Sequence, residues 1–217
     1  MAQSERPAAM LTDRHGSDSW LARWMSAIFG KMLVVAVALA VPATAHAHSF
    51  SFAVVAGGEH AAARLNSAVR GILLATKERD GHADETSDGH LGGLDVFIVP
   101  QPIYAAETIQ GLKRVSQPSI DIAVLIGPEV GTDQEATRLD PQTVIIRPGT
   151  INTNPSEAST IFATRFQTAY GTAPDQWAAE GYNAARRIDL AVRPLGGVDD
   201  RQALIEALAT TKEGIDW

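Results

Sequence analysis

The sequence contains no cysteine. That excludes disulfides, a thiol nucleophile, thiolate metal ligands and a lipidated cysteine behind an export signal. Basic charge is scarce as well: 18 Lys+Arg stand against 25 Asp+Glu over 217 residues, a formal charge of -7. An acidic chain without a basic stripe is not expected to bind nucleic acid or an anionic lipid surface. No apolar run reaches the roughly 18 residues that a membrane-spanning helix needs. The phosphate-cradling G-x-x-x-x-G-K-[ST] and the nucleophile elbow G-x-S-x-G are both missing, and Gly57-Gly58-Glu59 is not the dinucleotide fingerprint G-x-G-x-x-G. Neither catalysis nor a cofactor is expected.

What is present is an ordinary globular composition, 45% hydrophobic with 18 Gly and 11 Pro. Met32 to Val41 (MLVVAVALAV) follows Lys31 and precedes Pro42 and the triplet Ala45, His46, Ala47. This is the order of a secretory signal, so residues 1–47 are expected to be a signal peptide with a long n-region, cleaved after Ala47. Met25 offers an alternative start to Met1 with a shorter n-region. Residues 48–217 then form one acidic, exported domain with 14 Lys+Arg against 22 Asp+Glu. A periplasmic location without membrane insertion after cleavage is the expectation.

Within that domain, apolar runs alternate with helical periodicity. Phe50 to Ala56 reads as a buried strand closed by Gly57-Gly58. From Ala61 to Arg79, Leu65, Val69, Ile72, Leu73 and Thr76 share one helix face, and Asp80-Gly81 ends it. A polar loop, Gly81 to Gly93, precedes a second strand, Leu94 to Val99; Ala105, Ile109, Leu112 and Val115 mark a second helix. Ile120 to Ile126 is a third strand, Thr132 to Leu139 a short helix and Thr143 to Arg147 a fourth strand. Asn154-Pro155-Ser156-Glu157 forms a predicted capping box for a helix ending at Gly171. A further helix opens at Pro174 and closes near Gly196-Gly197, and Asp199 with Gln202 caps the last. Strands too apolar to leave a face in water, separated by helices, predict a Rossmann-like three-layer α/β sandwich with a mostly parallel sheet of about four to five strands. Ligands in such sheets lie at the carboxyl ends of the strands, here the loops Gly57 to His60, Gly127 to Thr132 and Pro148 to Asn154.

Several residue groups invite a chemical reading. His82, Asp84, Glu85, Asp88 and His90 crowd one loop, with His48 and His60 elsewhere, but their spacing matches no zinc pattern and a solvated acidic loop is expected rather than a metal site. Phe166, Trp177 and Tyr182 at helical spacing read as core, and Arg186-Arg187 as a solvated helix face. Gly131, Thr132, Gly149, Thr150, Asn152 and Thr153 follow strands three and four, where backbone N–H groups and hydroxyls meet the strand-end crevice; simple turn formation is the other reading of them.

The segment Phe162 to Leu208, FATRFQTAYGTAPDQWAAEGYNAARRIDLAVRPLGGVDDRQALIEAL, resembles the carboxyl-terminal signature of type I periplasmic binding proteins of the branched-chain amino-acid (leucine) class, with Asn183 in place of the usual Asp. The strand and helix series from Phe50, the Ile126-Gly127-Pro128 turn and the run Pro148 to Pro155 resemble the first lobe of that family. The resemblance implies an exported solute-binding protein similar to the substrate-binding component of an amino-acid ABC transporter. It also implies a missing second lobe, because Pro155 leads directly into the returning helices. Residue by residue, Gly131 or Thr132 falls at the family's hydroxyl position, and Gly149 with Thr150, or Asn152 with Thr153, falls at its carboxylate loop. The implied partners are a small polar or amino-acid ligand and an ABC permease or second chain that completes the site. The alternative is an accessory or sensory protein that uses the lobe as a protein-docking surface. A polar strand-end crevice would favour a solute, and an apolar one a protein.

Overall fold

β1, Ser49–Ala56, carries the apolar run SFSFAVVA and is buried on both of its faces. Phe50, Phe52, Val54 and Ala56 point into one apolar cluster, Ala53 and Val55 into another, as the two-residue side-chain period of a strand requires. The computed structural model describes residues 49–79, 86–101, 119–149, 151 and 156–211. The predicted signal segment and the helix read at Ala105 to Val115 lie outside them.

After β1 come α1 (Ala61–Lys77), a short β2 (His90–Leu91), β3 (Leu94–Gln101), β4 (Ile122–Ile126), α2 (Glu129–Ala136), β5 (Val144–Ile146), α3 (Glu157–Tyr170), α4 (Gln176–Val192) and α5 (Arg201–Thr210). The chain is α/β. Its sheet has five strands in the order β2-β3-β1-β4-β5, in which β3, β1, β4 and β5 are parallel and β2 is antiparallel to β3. α1, α4 and α5 supply the larger cluster on one face, and Ala136 beyond β4 belongs to the smaller cluster on the other.

The main differences from the sequence reading lie at element ends. The polar stretch before Leu94 holds a hairpin, because Gly92 and Gly93 at φ 65° and 86° supply the two left-handed residues of a tight turn. β3 continues through Pro100 opposite Val54; β2 has ended by that height, so the missing N–H costs no ladder bond among the described strands. α2 begins three residues earlier than expected. α3 is capped by Ser156, whose hydroxyl accepts from the Ser159 N–H while Ser159 returns the bond, so the box is displaced from Asn154 and Glu157. The cap of α5 is Asp200 rather than Asp199.

α1 and α4 cross with their backbones in contact. A methyl added at Gly71 would collide with the carbonyl group of Ala178, and one at Gly181 with that of Ala68. On the outer side of this pair, Phe162 and Phe166 of α3 pack with Ala178, and Tyr182 of α4 stacks 4.8 Å from Phe162. These aromatics are therefore packing residues, as their spacing suggests. The Tyr182 hydroxyl donates to Glu78 at 2.8 Å, and Arg165 pairs with the other Glu78 oxygen at 3.0 Å. Burial, then the bond to Glu78, raises the Tyr182 phenol to about 12. The unfolded phenol titrates near 10, so the folded chain holds this proton more tightly. That stabilisation is complete below about pH 10 and is lost as pH rises towards 12. Melting temperatures of wild type and Tyr182→Phe between pH 8 and 11.5 should converge at the alkaline end; parallel curves would show that Tyr182 does not carry the loss.

Candidate functional site

The strand order reverses between β1 and β4: the chain leaves β1 for β3 on one side and later adds β4 and β5 on the other. In a sheet of this kind a ligand crevice is expected where the loops diverge above the reversal, at the carboxyl ends of the strands. Ala56 is level with Ile126 in the register, so the loops after β1, β4 and β5 open at the same end.

Where these loops meet, the chain is in contact backbone to backbone. A methyl on Gly57 would strike the Gly131 carbonyl group and come within 2.7 Å of the Thr132 nitrogen; one on Gly131 would come within 2.7 Å of the Gly58 nitrogen. The turn after β1 thus lies against the first turn of α2. Gly127 and Gly149, at φ 94° and 89°, turn the chain after β4 and β5. Both helices that begin here lack a side-chain cap: the N-cap of α1 is His60 in the left-handed region at φ 65°, and that of α2 is Pro128. α3, α4 and α5 by contrast are capped by Ser156, Asp175 and Asp200.

Two arginines missing from the sequence reading flank the crevice. Arg64 of α1 donates to the Gly57 and Glu59 carbonyls at 2.7 and 2.6 Å, lies 5.3 Å from the Trp177 ring centroid and runs its methylenes past Gly127. Arg147, just beyond β5, pairs with Asp133 at 2.9 Å and reaches the Gly127 carbonyl at 3.4 Å. They approach Gly127 from opposite layers of the sheet. The only sequence signal for Arg64 was its place one turn into a helix that follows a Gly-Gly turn. Glu59 and His60, both largely exposed, complete a polar rim.

Of the predicted site residues, Gly131 packs against Gly57, and Gly149 turns the chain after β5. Thr132 is fully buried and its hydroxyl donates to the Pro128 carbonyl at 3.0 Å. Thr150, Asn152 and Thr153 lie outside the described residues. Asn183 is buried and donates to the Pro148 carbonyl at 2.7 Å, anchoring the β5 loop to α4.

Arg187 requires a correction. It was expected on a solvated face and is only 4% exposed. Its guanidinium donates to the carbonyls of Arg147 and Leu208 and to the Thr211 hydroxyl, and burial pushes it below its ordinary value. It lies one turn after the buried Asn183 and three residues after Ala184, a spacing that places it on the inner face of α4.

In the histidine-rich loop, Asp88 is buried and accepts from the Ile98 N–H at 2.8 Å, and His90 lies 3.0 Å from Asp95. Asp88 is thus a strand anchor, not a solvated acid; His48, His82, Asp84 and Glu85 lie outside the described residues. Among the described residues no three His, Asp or Glu side chains are grouped to hold a metal, and no helix is long and apolar enough to cross a membrane. The chain finds no match among protein-family models, curated proteins or solved structures.

Proposed function

We propose that this chain is a solute-binding lobe of Rossmann-like type, similar to the substrate-binding component of an amino-acid ABC transporter, and that it is exported to the periplasm. The observation that carries the reading is the strand reversal itself, where two side-chain-uncapped helices begin and the Gly57–Gly131 approach brings backbone groups rather than side chains together. A crevice there suits a small polar or amino-acid ligand whose carboxylate accepts from helix N-terminal N–H groups. Its polar rim favours a solute over an apolar protein-docking face. The resemblance of Phe162 to Leu208 to the leucine-binding class and the apolar Met32 to Val41 run with its Ala45-His46-Ala47 triplet support the same reading. No side chain is assigned a catalytic role.

The chain passes from Ile146 of β5 to Glu157 of α3, too short a span for a second lobe between them. One lobe cannot close on its ligand and exclude water as two do, so a permease or a second chain is proposed to complete the site. Calorimetry with leucine on the monomer should accordingly show saturable binding weaker than about 100 μM, where a two-lobed clamp reaches about 1 μM or tighter. Sub-micromolar binding by a demonstrated monomer would falsify the half-site reading.

A further inference from the structure

A second recess lies along the outer edge of the sheet, between β5 and α5. It has a volume of about 600 Å³ and adjoins the strand-end crevice at Gly149. Val144 and Ile146 of β5 and Ile205 and Leu208 of α5 give it apolar walls. Ile145 at its lip is 50% exposed, one of few large apolar side chains so placed. Three arginines line it, Arg147, Arg187 and Arg201, and no Asp or Glu does among the described lining residues.

The charge distribution is unusual for a core. A buried guanidinium is ordinarily matched by a carboxylate, because removing its hydration is costly. Among the described residues Arg187 has only neutral oxygens as acceptors: two main-chain carbonyls and the Thr211 hydroxyl. The acid two residues along α4, Asp189, is committed elsewhere, accepting from the Gly92 N–H at 2.8 Å and pairing with Arg193 at 2.6 Å. Arg201 donates to the Gln142 carbonyl at 2.9 Å and likewise has no carboxylate partner among the described residues. The recess therefore joins an apolar trough to Arg187 and Arg201, which no carboxylate among the described residues neutralises.

We infer that the recess between β5 and α5 binds an amphiphilic carboxylate, a medium-length aliphatic chain along Val144, Ile146, Ile205 and Leu208 with its carboxylate among Arg187, Arg201 and Arg147. The head completes the ion pairing that Arg187 lacks, and planar guanidinium groups suit a carboxylate better than a halide or a neutral head. The tail removes water from the half-exposed Ile145 and the partly buried Ile205, against the buried Val144, Ile146 and Leu208. This site is distinct in chemistry from the crevice, which offers backbone groups and a polar rim, and it does not depend on the amino-acid reading.

The test is calorimetry and thermal shift of the full chain with octanoate, against octanol, which keeps the tail and lacks the charge, and acetate, which keeps the charge and lacks the tail. Octanoate should bind at least about tenfold more tightly than either, since both head and tail contribute. Arg201 is exposed, so Arg201→Glu should leave the ligand-free melting temperature unchanged and weaken octanoate by about tenfold or more through charge reversal. Arg187→Gln should abolish the preference for octanoate over octanol; where that variant does not fold, Arg201→Glu and Ile205→Asp carry the test. Equal binding of octanoate and octanol, or octanoate binding unchanged in Arg201→Glu and Ile205→Asp, would overturn the inference.

Discussion

Gly181→Val should lower the stability of this protein by about 3 kcal/mol or more, and the smaller Gly181→Ala should also be destabilising, against the trend of helix propensity. Replacing a helical glycine with alanine normally stabilises by about 1 kcal/mol. Here the added methyl would come within 2.7 Å of the Ala68 carbonyl carbon and closer still to its oxygen, and both belong to a backbone that no rotamer change can move. Overpacking of this kind costs about 1–3 kcal/mol per inserted group, so packing outweighs propensity. The partner helix repeats the arrangement: a methyl on Gly71 would come within 2.9 Å of the Ala178 carbonyl carbon and the Tyr182 nitrogen. Neither helix can yield without disturbing the sheet, because Leu65, Val69 and Ile72 of α1 and Ile188 and Val192 of α4 share the core of β1. The melting temperature of Gly181→Val should fall by at least about 6 °C, taking roughly 2–4 °C per kcal/mol for a chain of this size. Gly197→Ala is the control, since its new methyl would meet nothing nearer than the Asp199 carboxylate at 3.7 Å. An unchanged melting temperature in Gly181→Ala would mean that the helices are not in backbone contact.

The second large effect is expected at Gly57, and it joins stability to binding. A valine there would push the first turn of α2 away from the end of β1, since its Cβ alone overlaps the Gly131 carbonyl. The loss should again be about 3 kcal/mol. It should also remove the leucine binding proposed for this chain, because the carbonyl that holds Arg64 and the N–H groups at the start of α2 would move together. The neighbouring glycine behaves differently. Gly58 has open space, its nearest neighbour being Arg64 Nη1 at 4.0 Å, but sits at φ 76°. Gly58→Ala should therefore cost only the left-handed penalty of about 1–2 kcal/mol and leave binding intact. Chemical denaturation with leucine calorimetry on the two variants separates the effects; equal losses of binding would show that the Gly57–Gly131 contact does not organise the crevice.

Much of the layer structure was legible in the sequence because burial leaves a periodic mark. The run Phe50 to Ala56 could only be a strand covered on both sides, and Leu65, Val69 and Ile72 could only be one face of a helix. The strand-end loops followed from those assignments, so Gly131 and Gly149 could be placed by position after β4 and β5. Features that depend on a partner distant in the chain were not legible. Gly57 and Gly131 are 74 residues apart, and nothing local marks their contact. The burial of Thr132 is set by tertiary packing, and its hydroxyl also donates to the Pro128 carbonyl, an option that any threonine on a helix has. Arg187 was misjudged because charge normally signals solvent, whereas here a guanidinium holds three neutral oxygens of β5 and α5. The hairpin at Gly92-Gly93 was visible in principle, but two paired residues are too few for a periodic signal.

The most direct test of the central claim is a two-dimensional ¹H–¹⁵N spectrum of the labelled protein titrated with leucine. If the carboxyl-end crevice is the solute site, the amides of Gly57, Gly58, Gly127, Gly131 and Gly149 should shift together and saturate, while those of Gly171 and Gly196, far along the helical segment, stay in place. Leucine titrated to about 10 mM, at most a hundredfold above the dissociation constant expected of a half site, without movement of the crevice glycines would contradict the account.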